Sequence, residues 1–253
     1  MKIQNKEEIS QDGRFIMIYG PTGVGKTTSL LQSTPNPILY IQTEPRSLKP
    51  SLDAANRPDI DIDVAVYENW MGLMGFVANP KNFERHKTAV VDSFSHLMAV
   101  GLSSEIEDQA WEARDPREKE TKPLVSQTKL SQEGYGGLAS QMFRLTAALG
   151  KLSRMGKIVI VTALLTESPR WNRELAAAPA LKGREFPVNM PGFFDLIGMV
   201  EQRVDVDGKV IFPPRVRFQS PDESFVAKFT GVGNRTQGPL DIEKILSIGR
   251  KES

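Results

Sequence analysis

The chain has 253 residues, 40% hydrophobic and 25% charged, with 32 Lys+Arg against 31 Asp+Glu, two histidines and no cysteine. That apolar fraction supplies a sizeable core, and the near-cancelled charge means that any polyanion surface must be a local patch. The missing cysteines exclude disulfides, Cys-ligated zinc and thiol catalysis, and with no apolar leader in MKIQNKEEIS and no 18-residue apolar run the expectation is a cytoplasmic protein with no membrane partner.

In chain order, RFIMIY (14–19), PILYIQ (37–42), DIDVAV (61–66), TAVVDS (88–93) and KIVIVTA (157–163) read as strands. Apolar runs this continuous suit strands covered on both faces, as in a parallel sheet. Helices are expected between them, at 26–33, 68–78, 93–108 and 138–155. In the last, Leu138, Met142, Leu145, Leu149 and Leu152 recur at spacings of three and four, one face of a helix. This alternation predicts an α/β fold, a mostly parallel central sheet flanked by helices. Later, LIGMVEQRVDVDGKVIFPPRVRFQ turns at Asp207-Gly208 between alternating segments and SFVAKFT follows, which predicts antiparallel strands near the C-terminus. A short helix at 241–248 closes the pattern. The expected organisation is a single domain over 1–253, with an N-terminal extension at 1–13 and a tail at 249–253. Residues 109–137 and 164–192 fit no element, and connections of that length are usually functional or mobile.

The strongest pattern is GPTGVGKTT, which matches G-x-x-x-x-G-K-[ST] between an expected strand and an expected helix. An accidental match would arise in about 1% of chains of this size and composition. Glycines let successive N–H groups curl inward around phosphate oxygens, and the helix start adds unpaired N–H groups and a positive dipole end. Gly20, Pro21, Thr22, Gly23, Val24, Gly25, Lys26, Thr27 and Thr28 are therefore nucleotide-binding candidates, with Lys26 reaching the β- and γ-phosphates of ATP. Thr27 and, at the end of TAVVDS, Asp92 are the candidates to hold Mg²⁺, a hard cation that needs only one or two carboxylates beside phosphates and water. Glu44 ends the next strand, ILYIQTE, and would stand on the same sheet edge, where a carboxylate can polarise an attacking water. His86 and His96 read as solvated or core histidines, and no nucleophile turn accompanies Ser93.

YGPTGVGKTT, YIQTEPR, VVDSFSHL, GYGGL, PALKGR, MPGFFDLIG and FVAKF, in that order, resemble the RecA-type P-loop ATPase core, and more narrowly the small phage recombination and single-strand annealing ATPases that keep a minimal RecA core. The resemblance implies an oligomeric, Mg-dependent ATPase, a ring or filament with nucleotide at the subunit interface. It further implies single-stranded DNA as substrate, a role in phage-type homologous recombination or strand annealing, and a single-strand DNA-binding protein as a further partner. A basic residue supplied in trans would be Lys228 or Arg235, although TGVGN separates two residues that the family keeps close. The sensor past IVIVTA falls on Thr162, since Ala163, Leu164 and Leu165 occupy the expected polar positions. The loop after it carries the DNA-binding candidates Arg170, Trp171, Arg173, Lys182 and Arg184, and the earlier segment 109–137 carries the weaker ones Lys119, Lys122 and Lys129. Two other readings stand beside this one. A small-molecule P-loop kinase would use PRWNRE as a lid, and an assembly scaffold would bind nucleotide without turnover.

Overall fold

The computed structural model describes residues 13–106, 132–169, 175–230 and 237–247. Its frame is six parallel strands: β1 (Arg14–Gly20), β2 (Ile38–Gln42), β3 (Ile62–Val66), β4 (Thr88–Asp92), β5 (Ile158–Pro169) and β7 (Leu196–Val204). Four more pair antiparallel: β6 (Leu175–Pro179) on β5, β8 (Val210–Arg217) and β9 (Lys228–Phe229) on β7, and β10 (Gln237–Pro239) on β8. Among the described residues the sheet runs β10-β8-β7-β1-β5-β4-β2-β3. The predicted α/β architecture, with its antiparallel strands near the C-terminus, is what the structure has. No described helix is long and apolar enough to cross a membrane.

Alternation along each strand sorts the core into two layers. Odd-numbered residues Phe15, Met17, Leu39, Ile41, Ala89, Val91, Val159 and Val161 face one cluster. It is covered by α3 (Trp70–Ala78), by α4 (Phe94–His96, running on through a π turn at Leu97–Gly101) and by α5 (Gln132–Arg154). Leu138, Met142, Leu145, Leu149 and Leu152 of α5 are all buried there, so the three-and-four spacing marks its inward face. Even-numbered Ile16, Ile18, Ile38, Tyr40, Val90, Ile158 and Ile160 face the other cluster. There they meet Leu30 and Leu31 of α1 (Lys26–Ser33), Ala55 of α2 (Lys49–Ala55) and Ile242 and Ile245 of α7 (Ile242–Ser247).

Several expectations need correction. The helix expected at 93–108 is broken by the π turn, and α5 begins six residues before the expected 138. Residues 164–192 are no continuous loop: β5 extends to Pro169, β6 returns beside it, and α6 (Glu185–Asn189) and a 3₁₀ turn at Met190–Phe193 follow. SFVAKFT contributes only the two residues of β9, paired with Leu196 and Ile197. The segment 109–137 falls outside the described residues up to 131, and its last residues belong to α5.

Two close approaches fix how the C-terminal strands sit. At Gly198 of β7 a Cβ would lie 2.5 Å from Val216 Cγ2 and 2.7 Å from Phe218 Cε1. At Gly25, whose φ is +93°, it would lie 3.0 Å from the Phe212 ring, so β8 rests against the turn that opens α1. Overpacking a filled core costs about 1–3 kcal/mol. Gly198→Ala is therefore expected to lower folding stability by that amount in urea unfolding, and an unchanged midpoint would contradict the packing described.

Candidate active site

The parallel strands of the frame end on one edge, and register brings their last residues level. Gln42 is opposite Asp92, and Ile18 is opposite Thr162. Because Asp92 and Thr162 carry even numbers, their side chains lie on the same face as α1. At the edge of β1 the chain curls through Gly23 (φ +77°) and Gly25 into α1, which places Lys26 and Thr27 in the first turn, facing Asp92.

Asp92 is the hub. Its Oδ2 accepts from Thr27 Oγ1 at 2.9 Å and from the Tyr40 hydroxyl, and its Oδ1 accepts from Thr162 Oγ1. Burial, then the adjacent Asp92 carboxylate, holds the Tyr40 phenol well above its usual range, so Tyr40 is a standing donor. Lys26 Nζ donates to the Gly20 and Pro21 carbonyls, each at 2.8 Å. Burial pushes this ammonium down from its ordinary 10.5 to about 8, against the pull of Asp92 and Glu44, with Arg46 adding to the depression.

Glu44 is held beside this hub by a short extension of the β2–β4 ladder. Thr43 N–H donates to the Asp92 carbonyl at 2.9 Å. Thr43 Oγ1 donates to the Ser93 carbonyl at 2.9 Å and accepts from the Ser93 N–H at 2.7 Å. Glu44 Oε1 then accepts from Ser93 Oγ at 3.0 Å, and Oε2 accepts from Arg46 Nε at 2.6 Å. Arg46 also donates through Nη2 to Thr27 Oγ1 at 2.9 Å. Partial burial works against the Arg46 charge, but the hydrogen bond and charge of Glu44, followed by Asp92, outweigh it and raise the guanidinium pKa.

These groups line one cleft of about 530 Å³, walled by Thr22, Gly23, Gly25, Lys26, Thr27 and Thr28 and, opposite, by Glu44, Arg46, Asp92, Ser93 and His96. That volume is of the size that holds a small ligand. The structure thus gathers Lys26, Thr27, Thr28, Glu44, Asp92 and Thr162 at one place. Val24 turns its side chain into the core instead, leaving only its backbone for a ligand. Thr27 and Asp92 offer a hydroxyl and a carboxylate oxygen side by side, a donor pair suited to a hard cation that completes its shell with phosphate and water. Among the described residues no cluster of three or more His, Asp or Glu could hold a metal on its own.

Other candidates lie elsewhere. Lys228 sits on β9 opposite Ile197 and donates to the Pro191 carbonyl at 2.9 Å, outside the cleft of its own chain. Lys182 is committed to Ala99 O at 3.0 Å and Ser103 Oγ at 3.2 Å on the α4 segment. Arg184 is exposed at the start of α6. Arg170, Trp171, Arg173, Arg235, Lys119, Lys122 and Lys129 lie outside the described residues. Sequence reasoning gave Tyr40, Ser93 and Arg46 no role in the site. Tyr40 is embedded in an apolar strand, and only its even-numbered position, two before the strand end, hints that it shares a face with Asp92.

A curled glycine-rich turn, a lysine at the helix start and a hydroxyl–carboxylate pair across the sheet edge define a P-loop nucleotide-binding protein. The chain matches, over residues 12–230, the model of a family described as AAA domain, and it belongs to that family, whose members are nucleotide-binding ATPases that work with a metal ion. A search of curated proteins found no match.

The depressed Lys26 carries a pH signature. In the window from about 8 to 10.5 the unfolded chain binds this proton and the folded chain releases it, so stability rises with pH there. Lys26→Met is expected to reduce the gain in urea midpoint between pH 8 and pH 10.5. Equal gains in both proteins would show that Lys26 is not desolvated.

Proposed function

We propose that the protein is an oligomeric, Mg²⁺-dependent ATP hydrolase of RecA type that acts on single-stranded DNA in phage-type recombination or strand annealing. The observation that carries the hydrolase part is Glu44, a carboxylate lining the same cleft as Thr27 and Asp92. A carboxylate in that position can orient an attacking water and accept its proton. Lys26 binds the β- and γ-phosphates, Thr27 and Asp92 hold Mg²⁺, Glu44 orients water, and Thr162, bonded to Asp92, relays the state of the site into β5. When bound, Mg²⁺ neutralises charge on the phosphate oxygens.

Two features support the DNA-directed part and a third the oligomeric part. The chain between β5 and β6 carries Arg170, Trp171 and Arg173, a combination suited to phosphates and a stacked base. Thr162 lies on the strand that leads into this segment. Lys228 lies outside its own cleft, as a residue serving a neighbouring copy would, and Arg235 is the second candidate for that role. A cation supplied in trans can raise turnover by about 10³–10⁵.

Steady-state ATP turnover with and without single-stranded DNA is the test, with molecular mass measured in both conditions. Turnover is expected to rise with DNA and assemblies to grow. Equal turnover, with no DNA binding at low salt, would overturn the DNA-directed reading. Glu44→Gln is expected to keep ATP binding and lose turnover by about 10²-fold or more, on the scale of removing a preorganised catalytic group. Undiminished turnover would remove Glu44 from the chemistry. Trp171→Ala is expected to weaken single-strand affinity by about 5- to 100-fold, the cost of one lost stacking partner. An unchanged affinity would exclude it from the DNA path.

A further inference from the structure

Arg46 brings a positive charge to the two oxygens assigned above to the metal. Its Nη2 donates to Thr27 Oγ1 at 2.9 Å and stands 3.5 Å from Asp92 Oδ2, while those two oxygens are themselves 2.9 Å apart. The guanidinium therefore caps the hydroxyl–carboxylate pair. Its Nε simultaneously takes Glu44 Oε2 at 2.6 Å, and Ser93 Oγ takes Oε1 at 3.0 Å. Each oxygen of Glu44 thus has a partner, and the Arg46 bond fixes the orientation of its carboxylate.

Arg46 and a divalent ion compete for the same place. Magnesium takes oxygens at about 2.0–2.1 Å in near-octahedral geometry, and a guanidinium already packed on those oxygens excludes that approach sterically and by charge repulsion. Arg46 is also able to leave. Its side chain is 50% exposed, against 5% for Asp92, so solvent lies on its outer side. The loop backbone that carries it is anchored, with Gln42 Nε2 donating to the Glu44 carbonyl at 2.8 Å and to the Arg46 carbonyl. Departure is therefore a side-chain rotation about a fixed backbone.

We propose that Arg46 is a displaceable occupant of the metal position, a positioning residue that keeps Thr27, Asp92 and Glu44 closed until a metal–nucleotide complex ejects it. The inference rests on the reading of Thr27 and Asp92 as the metal pair. It makes metal loading and the release of Glu44 one event, because the same guanidinium blocks both.

The test is Mn²⁺ affinity, measured by electron paramagnetic resonance on protein saturated with a non-hydrolysable ATP analogue. Wild type is compared with Arg46→Ala, Arg46→Lys and Asp92→Ala, and thermal melting confirms that each variant is folded. Lysine keeps the charge but lacks the planar fork that spans three groups at once. If Arg46 is seated about nine-tenths of the time, removing it tightens Mn²⁺ binding about tenfold, and both Arg46→Ala and Arg46→Lys should show this. Equal affinity in wild type and both arginine variants would overturn the proposal. Tightening in Arg46→Ala alone would also overturn it, since that is through-space repulsion without displacement. Weaker binding in Arg46→Ala would show that Arg46 supports metal binding and overturn it too. Asp92→Ala separates the two levels: if it leaves Mn²⁺ affinity unchanged, the metal-pair reading itself fails, whatever the arginine variants do.

Discussion

Everything at the sheet edge depends on satisfying one buried carboxylate. A carboxylate taken out of water is tolerated only when its lone pairs are filled, and Asp92 fills them from four directions. Thr27 comes from the first helix, Tyr40 from β2, Thr162 from β5 and Arg46 from the loop beyond β2. β5 is inserted between β1 and β4, which places a threonine beside the aspartate and leaves the P-loop helix to reach across from β1. A one-residue slip of β4 would turn Asp92 to the opposite face, into the layer occupied by α3, α4 and α5. Register and site chemistry are one requirement.

The same requirement explains what could be read in the chain. The P-loop, Asp92 and Glu44 were legible because each stands where an apolar run stops, and in a parallel sheet such ends converge. Thr162 was reached through family resemblance, and the structure gives it a partner in Asp92. Arg46 was not legible. It closes YIQTEPR with no spacing that marks a role, and its place depends on the Gln42 side chain anchoring the backbone around it. The helix α2 escaped because it has no apolar stripe, with Ala55 its one buried residue. The early start of α5 escaped because QEGYGG carries three glycines, each a cost to helix formation, yet that turn is helical. The strand β6 lay hidden in a proline-bounded, alanine-rich stretch whose pairing is set by the extension of β5 rather than by its own β propensity.

The two described lysines offered for a neighbouring copy or for DNA are engaged within their own chain. Lys228 and Lys182 are each held by carbonyl or hydroxyl groups of their own chain, so any service to a partner would require exchanging those bonds for new ones. Within the cleft, Lys26 likewise donates to the Gly20 and Pro21 carbonyls, bonds that phosphate oxygens would replace locally.

The two left-handed glycines of the P-loop are constrained unequally. Gly23 has open space where a Cβ would go, whereas Gly25 has the Phe212 ring of β8 there as well as its φ of +93°. The space at Gly23 is the cleft itself, whereas a side chain at position 25 would meet both the left-handed φ and the ring. The sequence tolerance of the phosphate loop is therefore set partly by a hairpin nearly 190 residues downstream, and the loop and hairpin can change only together.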